Sequence, residues 1–231
     1  MRMYKINKVL IAVTLTLIMA TIMVLPALGA AQAEHPEDTI GKPIAPFSDV
    51  SPEAWYYSAV MYVYEEDIME GFTDYTFRPD TALNRAQIVT ILYRLAGSPD
   101  VIGIENPFDD ITEGQWWTPQ ILWAYSQGVT IGFVEDGIRT FRGEQNVTME
   151  EFVTFIARYQ EAIGEIPITI LADFIWPDFD EVRLFAKEYV GRLTAQGLFR
   201  DMPGNSFGPQ EDASRATVAL VLYNWLERAR I

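Results

Sequence analysis

Arg85 and Arg215 each follow a helix-capping residue directly, in Asn84-Arg85-Ala86-Gln87 and in Ser214-Arg215-Ala216-Thr217. A guanidinium there offers a planar, permanently charged fork suited to a carboxylate. The first turn of a helix adds unpaired N–H groups and a dipole that favours an anion. The chemistry expected of these positions is anion recognition, each charge-assisted hydrogen bond contributing about 1.5–3 kcal/mol. Between them lies Thr148-Met149-Glu150-Glu151, in the same context but without the arginine, and its two acids are expected to make that helix start hostile to a carboxylate. Arg85, Met149 and Arg215 are separated by 64 and 66 residues, so the chain reads as three copies of one plan.

Composition narrows the alternatives. The 231-residue chain has no cysteine and one histidine, His35, and its formal net charge is −15. A multi-histidine metal site, a histidine-based catalytic site and a disulfide framework are thereby excluded. No calcium loop with twelve-residue ligand spacing is present. Neither a metal nor a cofactor is expected. The acidity argues against nucleic acid as a partner, and any anion must be held locally. Six Trp, 11 Tyr and 13 Phe provide the apolar area that must stabilise the fold without cross-links.

The elements that position the arginines read off in order. Residues 1–33 have Arg2, Lys5 and Lys8, an apolar run from Val9 to Leu25, and Ala31-Gln32-Ala33. This is the layout of a secretory signal peptide, with an uncleaved membrane anchor as the competing reading. After cleavage no membrane association is expected. Residues 34–45 form a proline-containing leader. The first copy spans 46–97. Ser51 and Pro52 are expected to open its first helix, which carries Trp55, and a Gly71-Phe72 to Phe77-Arg78-Pro79 turn region follows. The second helix starts at Asn84, with Gln87 at capping-box spacing and an apolar stripe of Ile88, Ile91, Leu92 and Leu95. The second copy spans 107–163. Trp116 and Gly132 match Trp55 and Gly71, its loop is three residues longer, and Thr148 and Glu151 form the capping pair. The third spans 175–229, with Asp201 in place of the turn glycine and Ser214 as cap. Asp49, Asp110 and Asp178 are expected to bind backbone N–H groups. The apolar linker 164–175 is expected to pack on the body.

An F-x-D opening, an aromatic first helix, a Gly-aromatic turn, F-x-P and a capped R-A-E-like helix resemble the S-layer homology family. The best match is Phe77-Arg78-Pro79-Asp80 with Leu83-Asn84-Arg85-Ala86-Gln87. The resemblance covers about residues 46–229. It implies an all-α, pseudo-threefold fold of three helix-loop-helix repeats, in which the first helices bundle and three prongs project. It implies non-covalent binding, in grooves between prongs, to a secondary cell-wall polysaccharide ending in pyruvylated N-acetylmannosamine, with the motif arginine facing the ketal carboxylate. Other surface or S-layer proteins are further candidate partners, and the location implied is secreted, at the cell wall.

The ligand-binding set expected from these readings is Arg85, Arg215, Asn84, Ser214, Trp55, Gly71, Gly114, Trp116 and Gly132, with no catalytic and no metal residue. The sequence departs from the family pattern at Met149, at Asp201, and at Glu53 and Glu70, whose carboxylates oppose an anion in the first groove unless they turn away or pair with Arg85. At most two working grooves are expected. Two other readings stay open. A helical-repeat scaffold would not need Arg85 or Arg215. A glycoside hydrolase would need two carboxylates across a cleft, for which the repeat plan leaves few spare residues. Replacing both arginines is expected to leave the fold intact.

Overall fold

The computed structural model describes residues 46–165 and 176–228. The expected signal peptide and leader, His35 and most of the apolar linker lie outside these residues. The chain is mostly helical: α1 (Tyr57–Glu65), α2 (Arg85–Leu95), α3 (Thr118–Ser126), α4 (Met149–Ala162), α5 (Leu184–Ala195) and α6 (Arg215–Arg228). A short hairpin, β1 (Phe133–Glu135) and β2 (Ile138–Thr140), pairs antiparallel between α3 and α4. It occupies the longer loop of the second copy. Among the described residues no helix is long and apolar enough to cross a membrane, and no acidic or histidine cluster could hold a metal ion.

The second helix of each copy, α2, α4 and α6, starts where local chemistry dictates. Asn84 accepts the Gln87 N–H while the Gln87 side chain accepts the Asn84 N–H, and Thr148 and Glu151 do the same. Ser214 Oγ accepts the Thr217 N–H at 3.1 Å. The first helix departs from expectation, because α1 begins at Tyr57 without a side-chain cap. The Ser51 hydroxyl donates to Glu53 instead, and Ser51–Ala54 closes a turn before the helix. With the Asp49 carboxylate tied to a loop 28 residues away, the chain turns there before helix geometry can be taken up.

The first helix of each copy packs on the second helix of the preceding copy: α3 on α2, α5 on α4, and α1 on α6. The bundle is thus made of these cross-copy pairs and not of three first helices alone. Tyr159 meets both Trp123 and Trp225 edge-on, at 5.7 and 5.8 Å, which joins the pairs through a layer of rings. At the helix starts the arrangement closes into a ring. Leu83 N–H donates to Ala213 O (3.0 Å), Ala213 N–H to Val147 O (2.8 Å), and Val147 N–H to Leu83 O (2.9 Å). All three residues are buried, so these backbone groups are satisfied only by one another.

One aspartate per copy ties the loop to the segment that leads into the first helix. Asp49 accepts the N–H groups of Phe77 and Arg78, Asp110 those of Phe141 and Arg142, and Asp178 those of Phe207 and Gly208, all at 2.7–2.9 Å. Arg78, Arg142 and Gly208 all sit at positive φ, between 57° and 63°, which brings two successive N–H groups to one carboxylate. The turn glycines have a packing reason. A Cβ on Gly71 would come within 2.1 Å of the Phe47 ring, and one on Gly132 within 2.5 Å of the Phe108 ring. In the third copy Trp176 stands in place of those phenylalanines, and Asp201 takes the turn position at φ 66°.

Asp178 also predicts a pH dependence. Partial burial raises its pKa, but the bonds from the Phe207 N–H, the Ser206 hydroxyl and the Gly208 N–H outweigh this and hold it below the ordinary value. A folded-state pKa below the unfolded one stabilises the protein above the unfolded pKa and is lost as pH falls through the folded one. The thermal midpoint should therefore drop as pH is lowered from about 5 to about 3. Asp178→Asn should flatten part of that slope, and an identical slope in the variant would contradict the assignment.

Candidate functional site

The ring of copies places each motif arginine under the loop of its neighbour. Arg215 reaches back to the first copy, where its Nε donates to Phe77 O and one terminal nitrogen to Glu70 O, both at 2.6 Å. Its guanidinium lies over the Phe77 and Phe72 rings, at 4.3 and 5.1 Å from their centres. Arg85 reaches forward to the second copy, where its Nε donates to Phe141 O at 2.8 Å. The rings of Phe133, Phe141 and Phe155 surround it at 4.6–5.0 Å. Only 4% of Arg85 and 8% of Arg215 is exposed. Burial pushes both guanidinium groups down to about 10, so both stay charged at neutral pH.

Each arginine lines a groove. The Arg215 groove, about 190 Å³, lies between the Glu70-Gly71-Phe72 turn and the α2 residues Gln87, Thr90, Ile91 and Arg94, with Trp116 at the side. The Arg85 groove, about 220 Å³, lies between Ile131-Gly132-Phe133 and the α4 residues Glu151, Thr154, Phe155 and Arg158, with Arg183 and Phe185 from the third copy. A groove is thus shared by three copies: one supplies the arginine, the next the turn and second helix, and the one after that an aromatic wall. At the third junction Met149 takes the arginine's place and is buried. Asn224, where α2 and α4 carry Arg94 and Arg158, is buried there and spends its side chain on Leu198 O, Arg200 O and the Arg200 guanidinium.

The expected residues divide accordingly. Arg85 and Gly132 share one groove; Arg215, Gly71 and Trp116 share the other. Trp116 is 58% exposed, available to a ligand face. Trp55 is 39% exposed and lines neither groove, as does Gly114, which sits in the turn before α3 at φ 87°. Asn84 and Ser214 are occupied as caps and line neither groove.

The helix starts themselves are not open to an anion. Arg85 and Ala86 N–H donate to Gln145 O and Gly143 O, and Arg215 and Ala216 N–H to Thr81 O and Pro79 O. The caps take the next N–H, so the guanidinium side chains remain as the donors. The acids are also placed differently from expectation. Glu70 pairs with Arg94 at 3.1 Å and not with Arg85, and Glu53 lies outside both grooves. Glu151 belongs to the Arg85 groove, 3.8 Å from that guanidinium. Glu150 is wholly buried and holds Arg183, by ion pair at 3.1 Å and by the Arg183 N–H at 2.9 Å. The sequence reading overlooked Arg94, Arg158 and Arg183. The signal was available for the first two, each nine residues after a motif position.

Residues 46–89 and 178–219 match the model of the S-layer homology domain. The chain is similar to cell surface glycoprotein 1 of Acetivibrio thermocellus, 31% identical over 166 residues, which is 69% of this chain and 7% of that protein. It is 25% identical over 163 residues to the cellulosome-anchoring protein of the same organism, covering 69% of this chain and 35% of that one. To the surface-layer 125 kDa protein of Lysinibacillus sphaericus it is 28% identical over 125 residues, covering 52% and 10%. The chain therefore spans well under half the length of each of these relatives.

Proposed function

We propose that this protein anchors non-covalently to the cell wall, by binding an anionic, pyruvylated secondary cell-wall polysaccharide in the Arg215 and Arg85 grooves. In this reading residues 46–97, 107–163 and 175–229 are three S-layer homology repeats behind a signal peptide, acting at the cell surface by binding and not by catalysis. The observation that carries it is that two grooves between neighbouring copies each hold a buried guanidinium with N–H donors left over. Only Nε of Arg85 and two nitrogens of Arg215 have hydrogen-bond partners among the described residues. Trp116 beside Arg215 suits the apolar face of a sugar ring. The surface and anchoring roles in the relatives' names agree.

A pull-down with purified native sacculi tests the reading. The protein should sediment with sacculi and lose most of that association when the pyruvyl ketal is removed chemically. Equal binding before and after removal would overturn the carboxylate–arginine mechanism.

A further inference from the structure

The two grooves hold their acids in different places. In the Arg215 groove, the Glu70 carboxylate pairs with Arg94, and among the described residues no acid lies within ion-pair distance of Arg215. In the Arg85 groove, the counterpart of Glu70 is Ile131, whose side chain has no charge, and the counterpart of Gln87 is Glu151. Its carboxylate stands 3.8 Å from Arg85 and offsets that charge. Arg183 is held by Glu150. Arg158 is half-buried, lines the groove, and makes no hydrogen bond or ion pair among the described residues. Its charge is near enough to oppose that of Arg85.

The uncompensated cation is therefore the floor arginine in one groove and a helix-side arginine in the other. We propose that Arg158 is the residue that contacts the anionic group of the ligand in the Arg85 groove and sets which anionic sugars that groove accepts. Arg85, compensated by Glu151, donates to neutral ligand oxygens instead. The Arg215 groove takes a sugar whose carboxylate reaches the floor. The Arg85 groove takes one whose charge lies along the α4 side, against Arg158. This rests on the anchoring reading above, and it divides that reading into two specificities.

The test is an amide and indole NMR titration of the full chain with the synthetic methyl glycoside of pyruvyl-ketal N-acetylmannosamine. The Gly132 amide reports the Arg85 groove, and the Trp116 indole reports the Arg215 groove. Two substitutions address the same charge, Arg158→Gln by removing it and Ile131→Glu by pairing it. Ile131 is 56% exposed, so its replacement does not threaten the core. Both should weaken the Kd read at Gly132 by about tenfold or more, and leave that read at Trp116 within about twofold. Unaltered binding at Gly132 in both variants overturns the assignment of Arg158 and leaves the anchoring reading standing, and so does an equal loss at both reporters. Absence of shifts at Gly132 alone in the unsubstituted protein overturns the assignment of Arg158, and absence at both reporters overturns the anchoring reading with it.

Discussion

An Arg215→Ala protein should be less stable by about 3 kcal/mol, besides losing its groove. The side chain does more than face a ligand. Two of its nitrogens donate to the carbonyls of Phe77 and Glu70, and its plane lies on the Phe77 ring. Hydrogen bonds from a charged group contribute about 1.5–3 kcal/mol each, and a cation over an aromatic face about 0.5–2. The cost of desolvating the guanidinium offsets part of that sum, while the two carbonyls left behind lose partners that water replaces poorly. Urea unfolding should show a lower midpoint at unchanged m-value. A change under about 0.5 kcal/mol would mean that the arginine is spare structurally. Arg215→Lys should fall between, since an ammonium keeps the charge but not the fork. Against the expectation that both motif arginines can be removed without harm to the fold, this geometry sets a predicted cost in stability. Wall binding by such a double variant would report unfolding together with lost contacts, and substitutions on the exposed groove edge separate the two.

Asp110→Ala should cost a similar amount, about 3 kcal/mol, with an effect on the Arg85 groove as well. Both carboxylate oxygens accept a backbone N–H at 2.7 Å, from Phe141 and Arg142. Without them Arg142, a non-glycine residue at φ 60°, loses the bonds that hold it in the left-handed region. Phe141 O is the acceptor of Arg85 Nε, so the disturbance passes directly to the guanidinium. Asp110→Asn should recover about half the loss, because its amide oxygen replaces one acceptor and its NH2 cannot replace the other. Hydrogen exchange at the Phe141 amide should accelerate in both variants relative to the parent. Protection retained in Asp110→Ala would show that the loop is held by other contacts.

The second helices and their caps were legible because each capping pair lies within four residues of chain. Asn84 with Gln87, and Thr148 with Glu151, need nothing beyond their own helix turn. The aspartates were legible by type but not by partner, since their N–H donors come from 28 to 32 residues away. The grooves were legible only by their arginines. A repeat period gives the number of copies, but not which neighbour each copy leans on. Glu151 illustrates the difference. Read within its own copy it appeared to oppose an anion at Met149, whereas in the ring it stands beside Arg85 of the preceding copy. The hairpin was foreshadowed only as three extra residues, because strands of three residues carry too little alternation to be read.

The bonds among Leu83, Val147 and Ala213 bear on how such a protein can change in evolution. In an open stack a copy can be gained or lost at an end, because each unit touches only its neighbours. Here the third member donates back to the second and accepts from the first, so every seat is taken. A fourth copy would find no unpaired N–H to receive it, and deletion of one would strand a donor and an acceptor in the apolar centre. Variation is thereby confined to the outward-facing loops and groove walls. There the Met149 junction can lose its arginine and the second loop can gain a hairpin while the number of members stays at three.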